Sequence, residues 1–551
     1  MSGNDALKDD GLDVPPEERT PLVRRLLDVI VGLREANARL QRTVDELKDE
    51  IRRLKGLPEK PERKPSSLEQ PVPPGKKKRR RGKRPGSAKR MKTQALTVDE
   101  TVTLEPERLP EGAELRGYRD FTVQDLVVRP HVIRYRRARY RMPETGELIS
   151  APLPEAVRKQ GHFGPGPRAY VLCHSYQNHV TEPLILEDLR DRGIDISAGE
   201  IHAMLTEGHD TFHAEKDALL PAACEVSSVF HTDDTPARHQ GQNAHTHQIG
   251  NELFTSFTTT ETKSRLNFLN ILRAPFTDYV LREESLWCLE YHGVSDRVVA
   301  RLTAALGDED ALVFPDETAW TTQLAAWDVP ESATKHVTEA ALIGCLIHHD
   351  LYPGATLVSD DAGQFQVLGF MNSLCWIHAV RHVDELVPET PSQRRAQERT
   401  LTAIWKYYRR LTTYRESSSP HRRAGLERDF DTVFASKTGF GSKTGWPELN
   451  TVLDRIREKR ESLLLVLDHP EIPLTNNLSE RDIREYAKKR KISAGTRNDL
   501  GRCCRNTFLS LKKTCRKLGV SFCRFLQDRI QGLSEILPLP DLIRQAAAQR
   551  D

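Results

Sequence analysis

The sequence predicts an α/β protein, and three observations carry that expectation. Two apolar, β-type runs, residues 227–234 (SSVFHTDD) and 355–361 (ATLVSDD), each close on a pair of aspartates. Residues 245–260 (HTHQIGNELFTSFTTT) read as a hairpin of β-rich strands. The stretches between and after them are patterned for helices, including one that starts at Asn476-Asn477.

Length and charge set the outer limits. The chain has 551 residues with 82 Lys+Arg against 79 Asp+Glu, a net charge of +3, and is 38% hydrophobic and 29% charged. At about 100–200 residues per domain, three to five units are expected. No apolar run approaches the roughly 18 residues of a membrane span, and MSGNDALKDD lacks the order of a secretory signal. Nine cysteines, an odd number with no CxxC pair, predict neither a zinc ribbon nor a disulfide framework. A cytoplasmic protein is therefore expected.

The N-terminal third divides into four stretches. Residues 1–19 are acidic and contain prolines, and are expected to be disordered. Thr20-Pro21 is a helix start signal, opening a heptad series over residues 20–56. Its core positions are Val23, Leu26, Ile30, Leu33, Asn37, Leu40, Val44, Leu47, Ile51 and Leu54. Leucine at most d positions, β-branched residues at most a positions and one a-position asparagine predict a parallel two-stranded coiled coil, hence a homodimer or higher assembly. Residues 57–95 form a Pro- and Lys-rich linker in which 11 of the 17 residues from 76 to 92 are basic. Such density suits phosphate contact through counterion release, or a solvated linker.

Residues 96–222 are expected to be an N-terminal DNA-binding region. The stretch 121–142 (FTVQDLVVRPHVIRYRRARYRM) alternates like a half-buried strand pair. After it, residues 182–192, Gly193, and a capping box from Ser197 to Glu200 outline a helix-turn-helix, a pattern common in helical proteins.

Carboxylates on two strand ends and on a helix, here at Asp233-Asp234, Asp360-Asp361 and Glu480, suit oxygen-preferring divalent ions and two-metal phosphoryl transfer. The plain alternatives are turn formation by the aspartates and a capping box between Asn477 and Glu480.

These residues resemble the insertion-sequence-66 family of bacterial transposases. An Asp-Glu-Thr motif of that family corresponds to Asp233-Asp234-Thr235, and an Asp-Gly motif to Asp360-Asp361. Its Cys-Trp-x-His-x-x-Arg signature is present as Cys375-Trp376-Ile-His378-Ala-Val-Arg381. Its Asn-Asn-x-x-Glu-Arg-x-Ile-Arg motif runs from Asn476 to Arg484, with Arg490-Lys491 after it. The order agrees over roughly residues 150–530, and coiled coil and basic tether also occur in the family.

The resemblance implies an RNase H-like catalytic core over 223–494, with helical insertions at about 276–350 and 386–470, and a C-terminal helical region over 495–551. It implies Asp233, Asp360 and Glu480 as catalytic, metal-binding residues for Mg²⁺ or Mn²⁺, with Asp234 and Asp361 as fallback ligands. His378, Arg381, Arg481, Arg484 and Lys491 are implied as DNA contacts. The expected activity is strand cleavage and strand transfer at insertion-sequence ends, with DNA and accessory proteins of the same element as partners. A repurposed, inactive DNA-binding protein is the alternative. The family's small cysteine-based zinc module is missing around Arg141-Met142-Pro-Glu-Thr145-Gly146, so no zinc is expected as a cofactor.

Overall fold

The computed structural model describes Thr20, Val23 and residues 97–549, except 107, 109–112, 155–156, 159–161 and 439–440. The disordered tail, coiled coil and linker expected over 1–95 therefore lie outside the described residues, apart from the start signal. There the Thr20 hydroxyl accepts from the Val23 N–H at 3.3 Å, as an N-cap does.

The chain forms two units. The first comprises residues up to Val127 together with Val387–Arg394. Its described residues from 97 to 127 are without strand or helix and, Thr122 apart, exposed. The second unit, Val128–Leu386 with Arg395–Asp551, holds every candidate site residue. It begins with a hairpin of β1 (Arg139–Arg141) and β2 (Leu148–Ser150).

The strand pair expected across 121–142 is thus corrected: only its last residues pair, and Phe121, Val123, Leu126 and Val132 are exposed. Alternation prepares a strand for a partner, and among the described residues none lies alongside. The helix-turn-helix outline does form. Helix α1 (Pro165–Leu172) precedes α2 (Glu182–Asp191) and α3 (Ala198–Thr206), with Gly193 at φ +84° and the Ser197–Glu200 capping box closed in both directions. Helix α3 carries no Lys or Arg, however, so it lacks the cations with which a recognition helix holds phosphates.

The centre is a mixed sheet built from β3 (Val229–His239), β4 (Gln242–Gly250) and β5 (Thr255–Thr260), with a short pair β6 (Tyr279–Leu281) and β7 (Leu312–Phe314) outside it. Strands β8 (Thr356–Ser359) and β9 (Met371–Leu374) complete the order β5-β4-β3-β8-β9. The first three strands run antiparallel, as the alternating sequence predicts, while β8 and β9 join in parallel. Helices fill the crossover from β5 to β8, ending with α4 (Glu331–His348).

Strand β3 runs on past Pro236, which the sequence suggests as its end. Strand β8 pairs only with Val229–His231, so beyond them a proline costs no ladder bond to it.

After β9 come α5 (Trp376–Asp384), a helical insertion, α6 (Asn477–Ser493) and α7 (Asp499–Lys517). The insertion has its own core, in which Trp376 meets the rings of Tyr407, Phe430 and Phe434 and donates to the Leu463 carbonyl at 3.0 Å. Helix α7 covers edge strand β5: Ser510 and Thr514 hydroxyls accept from the N–H groups of Phe257 and Thr255 at 2.8 and 3.1 Å. Hydroxyls on a helix thus satisfy backbone donors that an exposed edge would offer to another chain.

Two expectations change here. Cys173 and Cys523 are joined by a disulfide although 350 positions apart, with Cα atoms 5.4 Å from each other. Cysteine spacing speaks only of neighbours in sequence, and the fold supplies this pair. The basic stretch 481–517 is also partly internal. Lys489, Arg505, Lys512 and Lys513 are buried, with the Lys489 ammonium donating to the Ser175 carbonyl at 2.7 Å.

Burial pushes Lys489 down to about 7, and the nearby Arg505 and Lys512 charges act the same way. An unfolded lysine titrates near 10.4, so from about pH 7 to 10 the unfolded chain holds more protons and stability rises with pH. Lys489→Met is expected to flatten this part of the slope, read from denaturation midpoints across that range. Among the described residues no helix is long and apolar enough to cross a membrane.

Candidate active site

The parallel pairing of β3 and β8 brings the aspartates together. His231 pairs with Val358, so two residues further on Asp233, still in β3, approaches Asp360, the first residue after β8, closely enough for the Asp360 charge to act on it. Helix α6 lies against β3: His231 bonds Asn476 at 2.9 Å, and Arg490 donates to Thr235 at 3.2 Å. Asp234 points the opposite way, where its carboxylate accepts from Gln364 at 2.5 Å. Asp361, at φ +78°, accepts from Gln366 at 2.6 Å and pairs with Lys459 at 3.3 Å. The two fallback ligands are therefore engaged elsewhere.

Glu480 sits in the first turn of α6, and Asn476 fixes where that helix starts. Asn476 is fully buried; its amide donates to the Thr232 carbonyl at 2.8 Å while its N–H meets the Cys375 sulfur at 3.2 Å. It caps α6 with its backbone alone, and Asn477 lies inside the helix, so the capping-box reading of Glu480 is not what forms. The Asn-Asn motif alone does not reveal this role of Asn476. Its place before a charged helix is the added signal, since the first side chain is free to bond elsewhere. Cys375 also donates its N–H to Ser359 at 2.9 Å, tying α5 to the residue before Asp360.

The electrostatics of the pocket are one-sided. Burial raises Asp233 to about 7, opposed by the Asp234 N–H, and the charges of Asp360, Asp234 and Glu480 push it up further. Glu480 Oε1 is buried with no hydrogen-bond partner, 3.8 Å from His378 Nε2, and His378 Nδ1 is likewise unpartnered. The other Glu480 oxygen meets Arg484 at 3.4 Å. An orphaned carboxylate oxygen near two aspartates is a donor set that fits a divalent cation. The three do not form a cluster with all ligand atoms within 4.8 Å of each other, as a closed single-ion cage would.

Of the expected DNA contacts, Arg381, Arg481, Arg484 and Lys491 are exposed, and His378 is partly covered. Spacing places Arg481, Arg484, Lys488 and Lys491 in one stripe along α6, starting beside Glu480. Lys488 is the member that sequence reasoning misses, because the surrounding lysines hide which one faces out.

Residues 312–502, which include Asp360 and Glu480, match the model of the family described as Transposase IS66 family. The chain is also 38% identical over 334 residues to the uncharacterized protein y4jO of Sinorhizobium fredii, covering 60% of this chain and 100% of that relative.

Proposed function

The chain belongs to the IS66 family of transposases, and from that premise we propose that it cuts and rejoins DNA by metal-dependent phosphoryl transfer, with Asp233, Asp360 and Glu480 as the metal-binding catalytic residues. The observation that carries the proposal is the nearness of Asp360 and Glu480 to the buried Asp233, with one Glu480 oxygen buried and unpaired. A divalent ion held there, Mg²⁺ or Mn²⁺, would supply Lewis acidity and an activated water. The strand order β5-β4-β3-β8-β9, three antiparallel strands followed by two parallel ones, supports reading the core as RNase H-like.

The protein's own groups have separate duties in this reading. Asn476 and Cys375 hold α5 and α6 against the strand ends, so the three carboxylates keep their spacing. His378 faces Glu480 and orients it, or contacts the scissile phosphodiester. Arg381 and the α6 stripe track the DNA backbone, and a dimer formed through residues 23–54 holds two element ends in one cytoplasmic assembly. The basic linker and accessory proteins of the same element complete the proposed set of DNA contacts and partners.

The test is strand cleavage on DNA carrying the element's ends. Cleavage that needs Mg²⁺ or Mn²⁺ supports the reading; end binding without cleavage under either ion overturns it in favour of an inactive DNA binder. On the same DNA, Arg481→Ala and Lys488→Ala are each expected to lower the slope of log affinity against log salt by about 0.9, one phosphate contact. An unchanged slope in both removes the α6 stripe from the interface.

A further inference from the structure

We propose that His292, His336 and Glu339 form a second cation site, separate from the acidic one and selective for an imidazole-binding ion of the zinc type. Helix α4 puts His336 and Glu339 three residues apart on one face, and His292, which caps helix Glu283–Tyr291, reaches them from the side. Each offers one ligand atom, all within 4.8 Å of one another. Glu339 Oε2 lies 3.6 Å from His336 Nδ1 and 3.9 Å from His292 Nε2. Tetrahedral zinc bonds of about 2.0–2.2 Å place neighbouring N and O ligands roughly 3.3 Å apart, so His336 must close on Glu339 by about 0.3 Å and His292 by about 0.6 Å to hold an ion.

A second observation points to a ligand. Glu339 is 1% exposed, yet its Oε1 has no hydrogen-bond partner, and the buried Nδ1 of His336 has none either. Native interiors rarely leave such atoms unpaired. The cations already nearby do not account for them. Arg265 Nη1 reaches Glu339 Oε2 at 3.3 Å and His292 Nε2 at 3.4 Å and must withdraw from both for an ion to bind, whereas Nε and Nη2 are held by the Gly363 carbonyl at 3.2 and 2.8 Å; none of them meets Glu339 Oε1 or His336 Nδ1. Lys335 comes no closer than 4.0 Å to Oε1.

The contrast with the neighbouring Asp278, Cys345 and His349 is instructive. There His349 meets Asp278 at 2.8 Å and the Cys345 thiol donates to the same carboxylate at 3.5 Å, so the group satisfies itself. Two histidines and one carboxylate form a donor set that zinc accepts with a fourth position open to water, and magnesium disfavours imidazole. His336, partly exposed, leaves an approach for the ion. An ion here would pin helix Glu283–Tyr291 to α4. Arg265, displaced by the ion, would keep its bonds to the carbonyl of Gly363, three residues beyond Asp360.

The test uses the full chain bearing Asp233→Asn and Glu480→Gln, so that the acidic site contributes no ion. After dialysis against Zn²⁺ and gel filtration, one zinc per chain is expected by elemental mass spectrometry. Substituted Co²⁺ should show tetrahedral visible absorption, and zinc should raise the melting temperature. Glu339→Gln is expected to weaken zinc binding by at least about tenfold. His336→Gln, on the more exposed side, should fold as the parent does in chelator and lose both the metal and the zinc-induced melting shift. A parent that retains no zinc, or zinc retained equally by both variants, overturns the proposal. Mg²⁺-dependent cleavage by the unsubstituted chain is read separately and does not depend on this outcome.

Discussion

Asp233→Asn, Asp360→Asn and Glu480→Gln are each expected to reduce strand cleavage about a thousandfold or more while leaving DNA binding in place. Metal-ion catalysis supplies several kcal/mol of transition-state stabilisation, and each 1.36 kcal/mol is a factor of ten in rate. These substitutions keep side-chain volume and remove one negative charge from a pocket whose members already repel one another, so the folded protein has no reason to suffer. Asp234→Asn and Asp361→Asn should stay within about threefold of the parent. The first points to the other sheet face, where an asparagine oxygen still accepts from Gln364. The second occupies a left-handed φ of +78°, which asparagine adopts readily, and loses only a half-exposed pair with Lys459. Single-turnover cleavage of end DNA reads all five. An active Glu480→Gln removes that residue from the chemistry, and an inactive Asp361→Asn beside an active Asp360→Asn moves the metal ligand by one position.

Local pattern made much of this layout legible, and long-range pairing hid the rest. The runs ending at Asp233 and Asp360, the hairpin 245–260, the capping box at Ser197 and the helix opening at Asn477 all follow from interactions within a few residues. The stretch 121–142 misleads because its alternation is real while a pairing strand is absent among the described residues. Charge misleads in another way. Sequence shows that 481–517 is basic, but not that Lys512 turns inward to Glu485 or that Lys489 meets Ser175, 314 positions away. The same limit concealed His292, whose companions His336 and Glu339 lie more than forty residues further along the chain. Doubled aspartates left the register open, and only their partners in the fold, Gln364 for Asp234 and Gln366 and Lys459 for Asp361, tell the members of each pair apart.

The residue two positions after Glu480 is expected to produce the largest loss of stability. Asp482 is buried, and its carboxylate accepts from Thr255 Oγ1 at 2.6 Å, Lys517 Nζ at 2.5 Å, Lys513 Nζ at 2.9 Å and Gln248 Nε2 at 3.5 Å. One side chain thereby joins α6 to β4, β5 and α7. Asp482→Ala would strand two poorly solvated ammonium groups without their counter-charge, a class of change that costs about 3–5 kcal/mol. Against a typical total of about 5–15 kcal/mol, that is enough to lower the soluble yield of the variant. The penalty comes from the lysines left behind, so removing them should return part of it. Asp482→Leu combined with Lys513→Met and Lys517→Met is expected to be more stable than Asp482→Ala, as buried ion groups replaced by apolar volume often are. Denaturant midpoints of the parent, the single and the triple variant check this. A single variant as stable as the parent would show that the network carries no net weight. A triple variant that regains stability but not cleavage would show that Asp482 also sets the angle at which α6 presents Glu480 to the strand ends.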